Sequence, residues 1–563
     1  CVDWSRAVEA YEMGFQDAAL YAKNGDDRLS MAPSNLAEAL DYYRAILESG
    51  GELSGKNLAA RAQTMDHTGL KYDNGKVIFP KEMEEAFVAF KEAGLVGYSS
   101  RRSHGGLGLP AVVQSFLMEL VARADASFSI TLGCFALAET IERFASREMI
   151  ETYVPQMAAG DLSGAMALTE PNHGSDLPNI RTRAVKDEKG NWKITGTKRF
   201  ITHACGFGDR PSAILTLART GEPGGGARGL SFFLVRTEDI HVAKIEHKMG
   251  LHCSPTCEVV YDNSPALLIG EEGKGLVKYA MGMMNTARLS IAAQSLGIAV
   301  ASQEEALKYA REREQFGKLI QEIPAVRKML DYGHREIFAM RSLLSEASLA
   351  VDLYLWRTEH LAEEGLDEKV IRKDETVRRW DKIASFYTPL AKYYISEICN
   401  KVAYNAVQIH GGSGYTEEYD VARLYRDARI TTIYEGTTQL QIVAAIGGVV
   451  SGMSQAGFLR EYIDEVLSGF DASGDLKEIY NEFSEIVDLF RSLSGDERES
   501  YSFEIVETAA RFLCGLLMER NLARMDAEGG RALRAEWTAQ YHLDTVGILA
   551  GHRAVLRRLQ PQA

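Results

Sequence analysis

The stretch Trp192–Thr202 (WKITGTKRFIT) is dense in β-branched and aromatic residues and follows a period of two, the mark of a strand with two unlike faces. Three further runs share that character: Ala213–Ala218, Leu230–Val235 and Cys257–Tyr261. Turn-forming residues separate them, among them Gly221–Gly229 (GEPGGGARG). That glycine-rich stretch joins two strands and opens no helix, so it is expected to be a hairpin loop and not a phosphate cradle. Residues 163–270 are thus predicted to form a small antiparallel β domain.

Outward from this island the period changes. Ala37–Ser49 (AEALDYYRAILES) and Lys81–Ala93 (KEMEEAFVAFKEA) carry apolar residues three and four apart, the spacing of one helix face. Val113–Ala124 and Ser146–Met157 follow the loop Gly105–Pro110 (GGLGLP). On the far side, helices are expected over Gly275–Arg311, Ile323–Trp356 and Trp380–Asn405, with the polar Arg357–Glu375 looping out. Beyond Gly448 and Gly452, Phe458–Leu467, Leu476–Leu489 and Ser502–Arg520 are helical again. The predicted class is α+β, mostly α. Its parts are an N-terminal helical domain (1–162), the β domain (163–270), a C-terminal helical domain (271–449) and an appended helical domain (450–563).

Composition narrows the function. The 563 residues are enough for three or four domains with their own cores. A net charge of −15, from 63 Lys+Arg against 78 Asp+Glu, disfavours a nucleic-acid partner, whose phosphates call for the opposite sign. Seven Cys are sparse, and Cys253 and Cys257 have no second Cys/His pair at metal-ligand spacing. Reduced structural thiols, no metal and a cytoplasmic location are expected. The most apolar run, Leu440–Val450, is shorter than the roughly 20 residues a bilayer requires, so no membrane span is expected. The chain opens at Cys1 without a Met, which fits a trimmed N-terminus.

Four motifs fall on this frame. Thr169–Asp176 (TEPNHGSD) is a turn that can present hydroxyls to a polar ligand, and Lys198–Thr202 (KRFIT) ends the strand quoted first. Arg311–Lys318 (REREQFGK) closes the long helix Met281–Arg311. The fourth is split between Gln408–Gly414 (QIHGGSG), where glycines permit close backbone approach, and Ile433–Gln441 (IYEGTTQLQ). Taken singly, each also suits a capped turn, a core strand or a solvated helix end.

In this order and spacing the four motifs resemble the acyl-CoA dehydrogenase family over about residues 85–445. The resemblance implies that family's fold, with a four-helix bundle within 271–449, an FAD cofactor and an acyl-CoA substrate. It implies that Leu168, Thr169, Ser175, Phe200, Thr202, Thr437 and Gln439 bind the chain's own FAD, Thr202 near the reactive nitrogen. Arg313, Gln315, Phe316, Gln408, Gly411 and Gly412 would meet the FAD of a neighbouring subunit, so a homodimer or homotetramer is implied. Ser175, Asn285, Arg288, Tyr434 and Gly436 would line the substrate. Glu435 matches the catalytic base. Some members carry that base on the helix containing Met281–Arg288, but here the position is Ala287. Phe200 stands where many members have Trp, Asn285 where several have Asp, and Ile442 where an Arg is common.

The reaction implied is removal of the α-proton by Glu435 with hydride transfer from the β-carbon to flavin, giving a trans-2-enoyl-CoA. Electrons would pass to an electron-transfer flavoprotein. Segments Ile245–Asn263 and Met283–Gly297 and the C-terminal extension resemble the long bacterial branch that includes 3-methylmercaptopropionyl-CoA dehydrogenases. The alternatives are an acyl-CoA oxidase and a DNA-binding flavoprotein of the same fold, the latter at odds with the acidic charge.

Overall fold

The computed structural model describes residues 2–73, 75–526 and 530–560. The chain divides into two compact units, one of Gly14–Ser290 and one of Cys1–Met13 with Ile291–Ala563. The first unit therefore spans both the expected β domain and most of the expected N-terminal domain, whose first residues belong to the other unit.

In Gly14–Ser290 the main helices are Leu36–Glu52, Lys81–Glu92, Ala111–Ala124, Ala126–Phe135 and Arg147–Ala158. Side chains cap three of these starts, and Pro80 and Pro110 precede the other two. Asn35 accepts from the Glu38 N–H (3.0 Å) while Glu38 reaches back to the Ser34 N–H (2.8 Å), and Asp125 accepts from the Phe128 N–H (2.7 Å). The faces they bury are aromatic, with Phe87 on Phe135 (5.0 Å between ring centres) and Phe90 on Phe128 (4.9 Å). Strands β1 (Lys71–Asp73) and β2 (Lys76–Ile78) form a small hairpin in this helical region.

The sheet comprises β3 (Ser163–Ala167), β4 (Arg183–Lys186), β5 (Trp192–Thr202), β6 (Ser212–Arg219), β7 (Leu230–Arg236), β8 (His241–Ile245) and β9 (Thr256–Ile269). Antiparallel pairing runs β4–β5–β9–β7–β6, and β6 meets β4 again at Arg219 and Arg183, which closes the ring. β8 adds antiparallel to β9, whereas β3 adds parallel to β6, so the sheet is mostly and not wholly antiparallel. The period of two sorts residues between cores: Ile214, Phe233, Val259 and Tyr261 pack on one face, while Leu215, Leu217, Phe232 and Leu234 pack with Met149, Val154 and Met157. Gly164 lets β3 lie close to the Ala126–Phe135 helix, since a Cβ there would stand 2.4 Å from the Cys134 carbonyl oxygen. Gly221–Gly229 lies in the β6–β7 connection, a hairpin loop as its sequence implied.

In the other unit, the helices Pro324–Glu363 and Glu375–His410 are the longest, and Thr438–Gly452 packs beside them. The helix Trp4–Glu12 joins this unit through Tyr11 edge-on to Trp356 (4.5 Å) and Arg6 over Trp380 (4.9 Å). Arg357–Glu375 does not loop out as a whole. The first long helix continues to Glu363 and a short helix covers Glu368–Ile371, because Leu361, Ile371 and Val377 form their own small core beneath the polar surface.

The described residues beyond 450 form Phe458–Ser468, Gly474–Arg491, Gly495–Ser500, Ser502–Ala523 and Arg531–Arg558. They share one compact unit with the bundle, fastened by buried polar groups. Arg511 donates to Glu336 (2.8 Å), Tyr394 donates to the same carboxylate (2.8 Å), and the Tyr394 and Tyr541 hydroxyls share a hydrogen bond (2.7 Å). Arg520 pairs with Glu346 (2.7 Å), to which Tyr462 also donates. Among the described residues six cysteines are free, and no helix is long and apolar enough to cross a membrane.

Candidate active site

In the first unit, Leu168 and Thr169 follow β3, and the turn they open is tied to β5. The Arg199 N–H donates to the Thr169 carbonyl (3.0 Å), and Lys198 donates to the Leu168 carbonyl (2.8 Å) and to Glu170 (3.1 Å). Glu170 also accepts the Arg181 and Thr182 N–H groups (2.7 and 2.8 Å). Burial opposes its charge, but Lys198 and these donors hold its carboxyl below the ordinary value. Lys198 is fully buried, and that burial pushes it down to about 8 despite the pull of Glu170. The pair locks the Thr169–Asp176 turn beside Phe200 and Thr202, with Ser175 exposed in the turn.

β5 slips register between Lys198 and Ile201, a bulge at Arg199–Phe200. Phe200 adopts a left-handed φ of 62° and stays 53% exposed, with the Arg199 guanidinium 4.8 Å over its ring. Glu246 anchors that guanidinium at 2.9 Å. Thr202 is half-buried and faces Thr256 in β9. Next to it His203 is buried, with Nε2 2.9 Å from the Thr131 hydroxyl, and burial pushes its imidazole down to about 4. In the helix Met281–Glu312, Arg288 is buried and donates to Asn285 (3.0 Å), so two expected substrate residues are joined.

In the second unit the remaining residues form two groups. Glu435 and Gly436 lie in the turn between the helices Asp420–Ile430 and Thr438–Gly452. Both are left-handed, with φ of 54° and 89°. For Glu435 this is a strained conformation, and the structure holds it through its carbonyls. The Gln441 amide donates to the carbonyl oxygens of Glu435 and Gly436, both at 3.0 Å, and the fully buried Lys392 donates to Gly436 at 2.7 Å. Thr437 caps the following helix by accepting from the Leu440 N–H (3.4 Å), and Gln439 is exposed in its first turn. The Tyr434 hydroxyl donates to Gln294, and burial followed by the Glu435 carboxylate keeps that phenol well above its ordinary pKa.

The second group sits at the far end of Glu375–His410. From Glu397, which accepts from Thr438 (2.5 Å), to Gln408 the helix advances about 16 Å. Gln408, Gly411 and Gly412 are exposed, and a Cβ on either glycine would meet no atom within 4 Å. His410 stacks on Tyr309 (4.3 Å), which brings this end beside Arg313, Gln315 and Phe316. The REREQFGK motif does more than close a helix. β10 (Glu314–Gln315) and β11 (Lys318–Leu319) form a hairpin whose two-residue turn, Phe316 and Gly317, has φ of 54° and 73°. Phe316 stands at its tip, 91% exposed.

Lys392 escaped the sequence reading, and Gln441 closes the fourth motif with no role assigned to it there. The signal for Lys392 was a lone cation within Phe386–Ile395, a stretch buried at every position.

Domain patterns of the acyl-CoA dehydrogenase family match this sequence: the N-terminal domain over 43–161, the middle domain over 165–264, and the C-terminal domain over 273–353 and 373–446. The chain is 36% identical to the 3-methylmercaptopropionyl-CoA dehydrogenase of Ruegeria pomeroyi, over 72% of this chain and 70% of that protein. It is 35% identical to the CarC subunit of the caffeyl-CoA reductase–Etf complex of Acetobacterium woodii, over 67% of this chain and 90% of that one. Its fold is that of an acyl-CoA dehydrogenase from Bacillus anthracis solved with FAD (TM-score 0.76, 22% identity, 92% of this chain and 89% of that chain). Three matching domains in order, on the fold described above, make this chain a member of the acyl-CoA dehydrogenase family.

Proposed function

We propose that this enzyme removes the α- and β-hydrogens of an acyl-CoA thioester to give the trans-2-enoyl-CoA, with FAD as cofactor and Glu435 as base. The observation that carries the reading is the turn at Glu435. A half-buried carboxylate stands there on strained main chain that side chains of two helices hold in place.

The residues present suit FAD. Phe200 and Phe316 are aromatic rings kept exposed on left-handed backbone, fit to meet flat ring systems. Open space beside Gly411 and Gly412 admits a ligand against the backbone. Arg313 offers an exposed guanidinium fork for a diphosphate, and Thr169, Ser175, Thr202, Thr437 and Gln439 supply hydroxyl or amide surface, Thr169 following the buried Leu168. When bound, FAD supplies the two-electron acceptor for the hydride from the β-carbon.

An α-proton beside a thioester carbonyl is too weakly acidic for an ordinary carboxylate, so donors must stabilise the charge that develops on the carbonyl oxygen. The Glu435 main-chain N–H serves as one such donor, and the Glu435 carboxylate accepts the α-proton and becomes a neutral acid. Ala287 offers no competing base. Tyr434, kept protonated, and the Arg288–Asn285 pair line the substrate.

The exposed Phe316 hairpin and the neighbouring Gln408–Gly412 segment support a homo-oligomer in which each subunit touches its neighbour's FAD. Electrons pass to an electron-transfer flavoprotein, a reading supported by the relative that belongs to an Etf complex. Anaerobic mixing of the FAD-loaded protein with short- to long-chain acyl-CoAs and 3-methylmercaptopropionyl-CoA is expected to bleach the flavin with at least one thioester. Glu435→Gln should bind FAD yet bleach at least about 10³-fold more slowly. Bleaching of the variant at the wild-type rate would remove Glu435 from the role.

A further inference from the structure

We infer that Lys392 and Gln441 are positioning residues for the catalytic base, a clamp that keeps Glu435 in its left-handed conformation; the inference rests on the function proposed above. A glutamate gains nothing intrinsic at φ 54°, and the same residue in a relaxed β or right-handed conformation would send its carboxylate elsewhere. Something must hold it. Two consecutive carbonyl groups, of Glu435 and Gly436, point at donors from different helices: the Gln441 amide at 3.0 Å to each, and the Lys392 ammonium at 2.7 Å to Gly436.

Both donors are fully buried, so neither set of bonds is exchangeable with water at low cost. The Gln441 oxygen finds no hydrogen-bond partner among the described residues, which fixes the amide's orientation by its nitrogen alone. Gly436 is part of the device. A Cβ there would come 2.5 Å from the Gln441 nitrogen, so only glycine lets the amide reach both carbonyls. The third tie is Thr438, whose hydroxyl donates to Glu397 and whose N–H donates to Thr432 (3.0 Å), fixing the start of the helix that carries Gln441. Lys392 and Glu397 lie on one long, largely buried helix, so the turn is referenced to the interior of its unit.

The test uses Lys392→Met and Gln441→Met in the FAD-loaded enzyme, each alone and with Glu435→Gly. Misplacing a reacting group by about 1 Å costs on the order of 10²-fold in rate. Each single variant should therefore bleach about 10²-fold more slowly at saturating acyl-CoA, with half-saturation and FAD content unchanged. Thermal unfolding gives a readout independent of the reaction. In the wild-type background Glu435→Gly relieves the strain and raises Tm by about 1–2 °C, whereas with Lys392→Met the turn has already relaxed and the glycine lowers Tm. Equal Tm shifts in both backgrounds, or slowing that only tracks lost FAD, would overturn the clamp. If the wild type bleaches with no acyl-CoA, the proposed function fails while the Tm coupling still decides the clamp.

Discussion

Replacing Arg511 by Met tests whether the C-terminal helices are an ornament or a structural part of the bundle. Arg511, on Ser502–Ala523, lies 6% exposed and donates to Glu336 at 2.8 Å, a carboxylate with no exposure at all. The guanidinium also sits 5.3 Å from the centres of both the Tyr394 and Tyr541 rings. Met fills most of the volume, so the loss is electrostatic: Glu336 keeps the Tyr394 hydroxyl but loses its counter-charge in a site water cannot reach. Breaking a buried pair from one side costs about 3–5 kcal/mol. For a cooperative unit of roughly 290 residues the unfolding entropy near Tm is about 0.6 kcal/mol/K, which converts to a Tm lower by about 5–8 °C. The assay is calorimetry at one scan rate on Arg511→Met, Glu336→Gln and the double variant. Because the double variant removes both charges, it should recover more than half of the loss. A shift below about 2 °C for Arg511→Met, or single effects that simply add, would refute the claim that this ion pair fastens the helices.

Two more outcomes follow from other sites. His203 is fully buried with its pKa lowered from 6.5 to about 4, so the unfolded chain takes up a proton that the folded one refuses between those values. Stability should fall as pH drops from 6.5 towards 4, by roughly 3 kcal/mol, and His203→Asn should flatten that slope in a Tm-versus-pH series; equal slopes would count against it. Phe316→Ala, at a 91% exposed hairpin tip, should leave Tm within about 1 °C but weaken FAD retention on gel filtration; unaltered retention would remove Phe316 from the cofactor's surroundings.

Much of the fold lay open in the sequence because periodicity reports one-sided burial. The helices Leu36–Glu52 and Ser502–Ala523 and the strands β5 to β7 fall within a few residues of their expected bounds. What escaped was decided at longer range. β3 adds parallel to β6 only because the chain crosses the sheet, and the ring closes at a single residue pair. The hairpin at Glu314–Leu319 carries Phe-Gly at its turn, not the Asn-Gly or Asp-Gly that announces a two-residue loop. The segment Arg357–Glu375 looked solvated because its small core of Leu361, Ile371 and Val377 is spread over distant positions.

The site shows a different division. The proposed site residues come from four short motifs, which carry no sign of the backbone conformations the structure gives them. Eight described non-glycine residues have positive φ, and three of them, Phe200, Phe316 and Glu435, belong to the motifs. None of these three is Asn or Asp, which tolerate that region most easily. Each strained residue has a visible restraint: the bulge and Arg199 for Phe200, the hairpin pairing of Gln315 with Lys318 for Phe316, and the carbonyl clamp for Glu435. Such strain persists only where the surrounding structure over-determines it, at the exposed Phe200 and Phe316 as at the buried His203 and Leu251. Arg199, Gln315, Lys318 and Gln441 lie within the motifs themselves, but Lys392 is separated from Glu435 by the rest of its helix, a loop and the helix Asp420–Ile430, so the fourth motif shows the proposed base without the cation that helps to hold its turn.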